Sequence, residues 1–324
     1  MIALSNSRTP SWCNRLLAAI LVAALSLYAH SQPVLARQSL MIAGGHSLKV
    51  TAVAHGDAGR LVATGSEDRT AILWNAIDGK QLTQFVGHID AVTSIAFNSD
   101  SKVLVTGSED HTALVWNCET GKRLHTLKQH TGQVHSVDIS PDGHLFVTGS
   151  ADSSAIIWNQ SDGRVEQTLV HGSDEVEAVT FSPDGKTVAT ATDRGFIAIW
   201  NSQSGTLVTR FKFEQRPLVD KFRGKMRLKF SDDGQCLLAF NRFDEISVWQ
   251  VADQKQVFAM KSPTIDASIR NGSIVLCGKV LSEVRNVSTG SQSSATTFQT
   301  KTPGTSGGVS PTKPASMSKD GKIG

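Results

Sequence analysis

Short apolar runs separated by turn residues dominate the chain after residue 40. Between residues 92 and 127 these runs are Val92–Phe97, Val103–Thr106, Thr112–Trp116 and Arg123–Leu127. Runs of this length, rich in β-branched residues, predict β-strands. Several of them, such as residues 155–158, are apolar at every position, which predicts strands buried on both faces. The sequence therefore predicts an all-β fold.

The pattern repeats along the chain. Trp74, Trp116, Trp158 and Trp200 lie 42 residues apart and each precedes an asparagine, whereas Trp249 follows after 49 residues. A period of about 42 that contains four strands is typical of a β-propeller blade.

Three other residues recur at fixed distances from each tryptophan. In three segments a histidine lies 22 residues before an aspartate, a threonine four before the aspartate, and the tryptophan six after it. The fourth segment keeps the spacing of 22, but its aspartate lies seven residues before the tryptophan. The four sets are His46, Thr64, Asp68 and Trp74; His88, Thr106, Asp110 and Trp116; His130, Thr148, Asp152 and Trp158; His171, Thr190, Asp193 and Trp200.

These residues resemble the signature of the WD-repeat (WD40-type) β-propeller family, closely over residues 46–201 and weakly to about residue 300. The dipeptide is Trp-Asn or Trp-Gln here, never the Trp-Asp that names the family. The resemblance implies six recognisable four-stranded blades, the last two degenerate, as a six-bladed ring or an incomplete seven-bladed one. It also implies that the four recurring side chains form a hydrogen-bonded structural tetrad inside each blade.

We expect three segments along the chain. Residues 1–36 contain the uncharged apolar stretch 16–29, which predicts a signal peptide or, alternatively, an N-terminal membrane anchor. Residues 37–300 form the propeller. Residues 301–324 are a flexible tail rich in Gly, Ser, Thr and Pro, or the start of a truncated further repeat. We therefore expect export, to the periplasm or cell envelope in a bacterium and otherwise by secretion.

Charge and cysteine content exclude several functions. The formal net charge is +3, and removal of Arg8 and Arg15 with the leader lowers it to +1. Such a nearly neutral protein is not expected to bind nucleic acid. The four cysteines form no CxxC pair, and no HExxH motif occurs. We expect no metal, no cofactor and no membrane contact beyond an uncleaved leader.

His, Thr and Asp in one set could suggest a hydrolase triad, but an active site is needed once and this set occurs at least three times, once per blade. We therefore expect no catalytic residues and a structural role for the tetrads. The alternative is a propeller enzyme or a small-ligand-binding propeller, with a site assembled at the central channel from single residues of several blades. A third hypothesis is that the chain is a truncated and poorly folding remnant of a longer propeller.

The predicted function is recognition of protein partners of unknown identity by a non-catalytic scaffold. Residues in the aspartate turns and before the first strands differ between repeats while the surrounding scaffold does not. The candidate partner-binding face therefore comprises Glu67, Arg69, Asp90, Glu109, His111, Gln133, Ser153, Glu175 and Arg194.

Overall fold

The computed structural model describes residues 45–56, 59–212, 226–240, 245–261, 264–270, 273–278, 282–286 and 292–296, with side chains as far as residue 259. The described residues form 24 strands in six four-stranded antiparallel sheets. In each sheet the strands pair in chain order, so every blade is a meander. The predicted all-β fold built from four-stranded blades is confirmed.

The strands of blades 1 to 3 follow the predicted apolar runs closely. Blade 1 contains β1 (Val50–Gly56), β2 (Leu61–Ser66), β3 (Thr70–Asn75) and β4 (Gln81–Val86); blade 2 contains β5 (Val92–Phe97), β6 (Val103–Ser108), β7 (Ala113–Asn117) and β8 (Arg123–Leu127). Blade 3 contains β9 (Val134–Ile139), β10 (Leu145–Ser150), β11 (Ser154–Asn159) and β12 (Val165–Val170).

Blades 4 to 6 continue the order. Blade 4 contains β13 (Val176–Phe181), β14 (Thr187–Thr192), β15 (Phe196–Asn201) and β16 (Leu207–Lys212); blade 5 contains β17 (Arg227–Phe230), β18 (Cys236–Phe240), β19 (Glu245–Gln250) and β20 (Lys255–Lys261). Blade 6 contains β21 (Thr264–Arg270), β22 (Ser273–Gly278), β23 (Ser282–Asn286) and β24 (Gln292–Thr296).

Burial assigns each strand its place in the blade. The second and third strands are buried at four or more successive positions, as in β6 and β7, whereas the fourth strand exposes most of its side chains, as in β4. In blades 2 to 4 the second and third strands therefore lie between two neighbouring sheets, and in each blade the fourth strand is the outer edge.

The hydrophobic core lies between neighbouring sheets. Val105 and Val115 of blade 2 pack with Val134, Val137 and Phe146 of blade 3 in one buried cluster. Equivalent clusters join blades 1 and 2, blades 3 and 4, and blades 4 and 5. Burying both faces of a sheet in this way explains why the central strands have no polar alternation.

The meander fixes which loops share an end of the blades. The turn between the second and third strands lies at the same end as the segment that joins one blade to the next, because successive strands are antiparallel. We call this end the loop face. In blade 2 it contains the turn between β6 and β7 and the segment 87–91 that precedes β5.

The leader and the tail lie outside the described residues. The predicted signal peptide or anchor (1–36) and the predicted tail (301–324) both fall there. No helix in the described part of the chain has the length and apolar character needed to cross a membrane.

Candidate interaction face and the buried tetrads

The loop face is built on a repeated network of buried polar side chains. In blade 2, Trp116 Nε1 donates to Thr106 Oγ1 at 3.0 Å, and Thr106 Oγ1 lies 2.8 Å from His88 Nε2. His88 Nδ1 lies 2.8 Å from Asp110 Oδ2. Thr106 is fully buried, and His88 is only 7% exposed.

The carboxylate of Asp110 determines which nitrogen of His88 donates to it. A carboxylate oxygen only accepts hydrogen bonds, so Nδ1 of His88 carries a proton and donates it to Asp110. With the ring proton on Nδ1, Nε2 accepts the threonine O–H, and the threonine oxygen accepts the indole N–H of Trp116. Every polar group of the chain from tryptophan to aspartate is thereby satisfied, as burial requires.

Blades 1 and 3 contain the same network. The distances from histidine Nε2 to threonine Oγ1 are 2.8 Å for His46 and 2.7 Å for His130. Those from histidine Nδ1 to aspartate Oδ2 are 3.0 Å for His46 and 2.8 Å for His130. The tryptophan N–H donates to Thr64 at 2.8 Å and to Thr148 at 2.9 Å.

The aspartate of each tetrad also holds the turn between the second and third strands. Asp110 Oδ2 accepts the N–H of Ile89, and Oδ1 accepts both the N–H and the hydroxyl of Thr112. Burial alone would raise the pKa of Asp110, but the hydrogen bonds from His88 and Thr112 outweigh it and lower the pKa well below the usual value. The pKa values of Asp68 and Asp152 are lowered by the same balance of burial and hydrogen bonds.

Sequence reasoning missed the hydroxyl partners of these aspartates. Thr70, Thr112 and Ser154 donate to the carboxylate at 2.7, 2.6 and 2.6 Å, and Ser66, Ser108 and Ser150 accept the aspartate N–H. The signal was present, because a hydroxyl residue stands two positions before and two after each aspartate in the three aligned segments.

In blade 4 the prediction for Asp193 is wrong. His171 Nε2 lies 2.7 Å from Thr190 Oγ1, and Trp200 Nε1 donates to the same oxygen at 3.0 Å, as in the other blades. However, His171 Nδ1 bonds to the carbonyl of Leu169 at 3.0 Å instead of an aspartate. Asp193 faces the backbone N–H of Glu175.

A one-residue insertion before β13 explains the difference. The histidine lies four residues before the first strand in blades 1 to 3, and five before it in blade 4. Counted from Trp200, Arg194 occupies the position of the tetrad aspartates. Arg194 Nη1 lies 3.3 Å from the buried carboxylate of Asp174, and Arg210 Nη2 lies 3.7 Å from it.

The loss of the aspartate changes the electrostatics of the histidine. Burial, together with the nearby charge of Arg210, lowers the pKa of His171 to about 4. In blade 3, burial lowers the pKa of His130, although Asp152 opposes that shift.

The candidate partner-binding residues all lie at the loop face. Those in the turns between second and third strands are Glu67, Arg69, Glu109, His111, Ser153 and Arg194, and those before first strands are Asp90, Gln133 and Glu175. Five of the nine are exposed (Glu67, Arg69, Asp90, His111 and Arg194), and the other four are partly buried.

Three of these residues have an unusual backbone. Arg69, His111 and Ser153 have φ angles of 71°, 69° and 67°, in the left-handed region that favours glycine. The tetrad aspartate imposes this conformation by bonding to the residue on the far side of the turn. In blade 4 the equivalent position is Gly195, with φ of 76°, which confirms the shifted register.

The tetrads do not form an accessible site. The hydroxyls that a triad would use as nucleophiles belong to Thr64, Thr106 and Thr148, whose exposed fractions are 1%, 0% and 0%. The network therefore stabilises the turns of the loop face, and its threonine hydroxyls are not accessible to a substrate.

The chain matches the family model for the WD domain, G-beta repeat, over residues 37–75, 79–117, 121–159 and 163–201. The protein therefore belongs to the WD-repeat family, whose repeats characterise protein-interaction scaffolds. No curated protein matches the chain significantly in sequence.

Proposed function

We propose that this chain is a non-catalytic scaffold that binds a protein partner through the loop face. The observation that carries the proposal is the repeated turn conformation. In blades 1 to 3 the tetrad aspartate holds one residue at positive φ, and that residue is Arg69, His111 or Ser153. A rigid backbone that presents a different side chain in each blade is suited to selective recognition.

The turns are held before any partner binds. In each tetrad, one carboxylate oxygen of the aspartate bonds to the residue that ends the turn, and the other bonds to the segment before the first strand. Little conformational freedom therefore remains to be lost on association. Preorganised loops lower the entropic cost of binding. The alternation of acidic and basic residues, with Glu67 beside Arg69, favours a partner of mixed charge.

A capture experiment tests the choice of face. The full chain is immobilised and exposed to the exported proteins of its source, and bound proteins are identified by mass spectrometry. The variant Glu67→Arg, Arg69→Glu, Glu109→Arg is expected to lose the partner.

A control of equal charge change places the substitutions at the opposite end of the blades. Glu119, Lys122 and Asp232 are exposed residues of turns there. Glu119→Arg, Lys122→Glu, Asp232→Arg is expected to retain the partner. Loss in the control variant, or retention in the loop-face variant, would contradict the assignment.

Export is the second part of the proposal. It is supported by the apolar stretch 16–29, followed by small residues at Ala29 to Ser31 and at Val34 to Ala36. N-terminal sequencing of the protein from its native source is expected to begin at Gln32 or Arg37. An intact Met1 on the protein would contradict cleavage.

A further inference from the structure

Three side chains with metal-binding atoms meet between blades 3 and 4. His135 is the second residue of β9, Glu177 is the second residue of β13, and Glu175 immediately precedes β13. One ligand atom from each lies within 4.8 Å of the other two. His135 Nε2 lies 3.8 Å from Glu175 Oε2, and the His135 side chain is only 13% exposed.

All three residues depart from the repeat. The position of His135 and Glu177 is threonine in blades 1 and 2, where Thr51 and Thr93 donate to the carbonyls of Val92 and Val134 in the following blade. The position of Glu175 is Lys49, Ala91 and Gln133 in the first three blades. One inter-blade contact of the repeat has thus been replaced by an imidazole and two carboxylates.

The backbone on the blade 4 side is held in place. Asp193 Oδ1 accepts the N–H of Glu175 at 3.0 Å, and the N–H of Asp193 donates to the carbonyl of Glu175 at 2.9 Å. Burial, and then the charges of Glu175 and Asp174, raise the pKa of Asp193. Asp174 and Asp193 therefore place two further carboxyl groups beside Glu175, and Arg194 and Arg210 both contact Asp174.

The donor set selects the kind of cation. Imidazole nitrogen and carboxylate oxygen are both ligands of Zn²⁺, and three protein ligands leave the fourth tetrahedral position open. Mg²⁺ and Ca²⁺ prefer oxygen ligands throughout. Ligand distances of about 2.0–2.2 Å place tetrahedral ligands roughly 3.4 Å apart. The 3.8 Å between His135 Nε2 and Glu175 Oε2 exceeds this separation by about 0.4 Å.

We propose that His135, Glu175 and Glu177 bind one Zn²⁺ ion that joins blades 3 and 4 at the loop face, with one coordination position open. The imidazole distinguishes this site from one for a lysine or arginine of a partner, which carboxylates alone would bind. The proposal does not depend on the proposed partner-binding function.

Equilibrium dialysis of the full chain against ZnCl₂, followed by elemental analysis, measures the stoichiometry. The natural chain is expected to retain one zinc ion. His135→Thr, Glu175→Gln and Glu177→Thr install residues that other blades carry at these positions, so the fold has precedent for them. Each removes a ligand and is expected to weaken binding by at least about a hundredfold, since loss of a group that only supports a ligand already costs about 10–100-fold. His144→Thr, at an exposed turn residue, is the matched control and keeps full binding.

Thermal unfolding with and without zinc tests the proposal even for a variant of reduced stability. Saturating Zn²⁺ is expected to raise the Tm of the natural chain and of His144→Thr by about 5 °C, and to leave the Tm of the three ligand variants unchanged. Co²⁺ in place of Zn²⁺ is expected to give the visible absorption of a low-coordinate site. The proposal is overturned if the natural chain retains no zinc, or if the ligand variants retain as much as it does.

Discussion

The threonine is the central residue of each tetrad, because its hydroxyl bonds to both the tryptophan and the histidine. Thr106 accepts a hydrogen bond from Trp116 and donates one to His88, and all three side chains are buried. Thr106→Val keeps the shape and leaves an indole N–H and an imidazole nitrogen without a partner. We expect the free energy of unfolding to fall by about 2–4 kcal/mol, since each orphaned buried group costs about 1–3 kcal/mol. Chemical denaturation followed by tryptophan fluorescence measures the change.

Thr126→Val is the matched control. Thr126 lies on the outer strand β8 of the same blade and is exposed. We expect its substitution to change the free energy of unfolding by less than about 0.5 kcal/mol. Equal losses for Thr106→Val and Thr126→Val would show that the tetrad hydroxyl adds nothing beyond strand packing.

The lowered pKa of His171 predicts that the stability of the fold depends on pH. Burial and the charge of Arg210 lower its pKa from 6.5 to about 4. Between these values the unfolded chain binds a proton that the folded chain does not, so stability falls as the pH falls from 6.5 towards 4. The loss approaches roughly 3 kcal/mol, at about 1.4 kcal/mol for each pKa unit.

His171→Gln removes the titrating group and is expected to flatten this part of the stability profile. Urea denaturation at a series of pH values between 7 and 4 measures the slope for both proteins. The control His144→Gln alters an exposed histidine of a turn and should keep the slope of the natural chain. A slope that survives in His171→Gln would assign the effect to another group.

Blade 4 also shows what a residue count can miss. The spacing of 22 residues from His171 to Asp193 equals that of the intact tetrads. Nevertheless, both residues lie one position earlier relative to the strands than their counterparts in blades 1 to 3. The inserted residue lies before β13, where a loop absorbs it without disturbing the strands. The positive φ of Gly195 marks the true register, and a glycine five residues before Trp200 was the available sequence signal.

At the scale of the element, most strands could be predicted from the apolar runs. The prediction Val92–Phe97 equals β5, and Arg123–Leu127 equals β8. In blade 6 the sequence SIVLCG of β22 has four successive apolar residues and so predicts a strand, whereas TIDASIR of β21 contains no such run. The sequence QSSAT of β24 has one apolar residue in five positions, so no apolar run marks this strand.

Blade 5 keeps the tryptophan without its tetrad. Ala239 pairs with Ser247 as Thr64 pairs with Ile72, so Ala239 occupies the position of the tetrad threonine. Trp249 is 7% exposed, and its Nε1 has no hydrogen-bond partner among the described residues. Phe211 of blade 4 stacks on Trp249 at 5.2 Å between ring centroids, as Phe85 of blade 1 packs on Trp116 at 5.4 Å.

Ala239→Thr tests whether a single hydroxyl restores part of the tetrad. The new oxygen would accept the indole N–H of Trp249, and we expect a gain of about 1 kcal/mol in the free energy of unfolding. Ala239→Val is the matched control, because it adds the same volume without the hydroxyl. The threonine variant should exceed the valine variant in stability, measured by thermal unfolding of both. Equal stabilities would show that the indole N–H gains nothing from the hydroxyl.

At the scale of the whole molecule, neighbouring blades are joined by polar contacts as well as by the core. The N–H of Val137 in blade 3 donates to Ser94 of blade 2, and the N–H of Phe181 in blade 4 donates to Asp138 of blade 3. The sequence predicted stacked blades from the apolar strands, but it could not predict these pairs. Ser94 and Asp138 carry no motif, and only the distance between sheets brings them to their partners.

The distance between sheets is set by a glycine on the second strand of each of the first three blades. A Cβ atom on Gly107 would lie 2.8 Å from Cγ1 of both Val134 and Val137 in blade 3, and Gly65 and Gly149 face the next blade as closely. A methyl group at Gly107 would therefore force blades 2 and 3 apart. Gly107→Ala is expected to reduce the free energy of unfolding by about 1–3 kcal/mol, the usual cost of overpacking.

A double-mutant cycle separates this inter-blade clash from a local effect on β6. Val137→Ala removes one of the two methyl groups that the new Cβ would meet, so Gly107→Ala should cost less in the Val137→Ala background than in the natural chain. We expect a coupling of about 1 kcal/mol or more, measured by urea denaturation of the four proteins. Additive losses would place the effect of Gly107→Ala within blade 2. Coupling would show that the spacing of the blades depends on the absence of a side chain at this position.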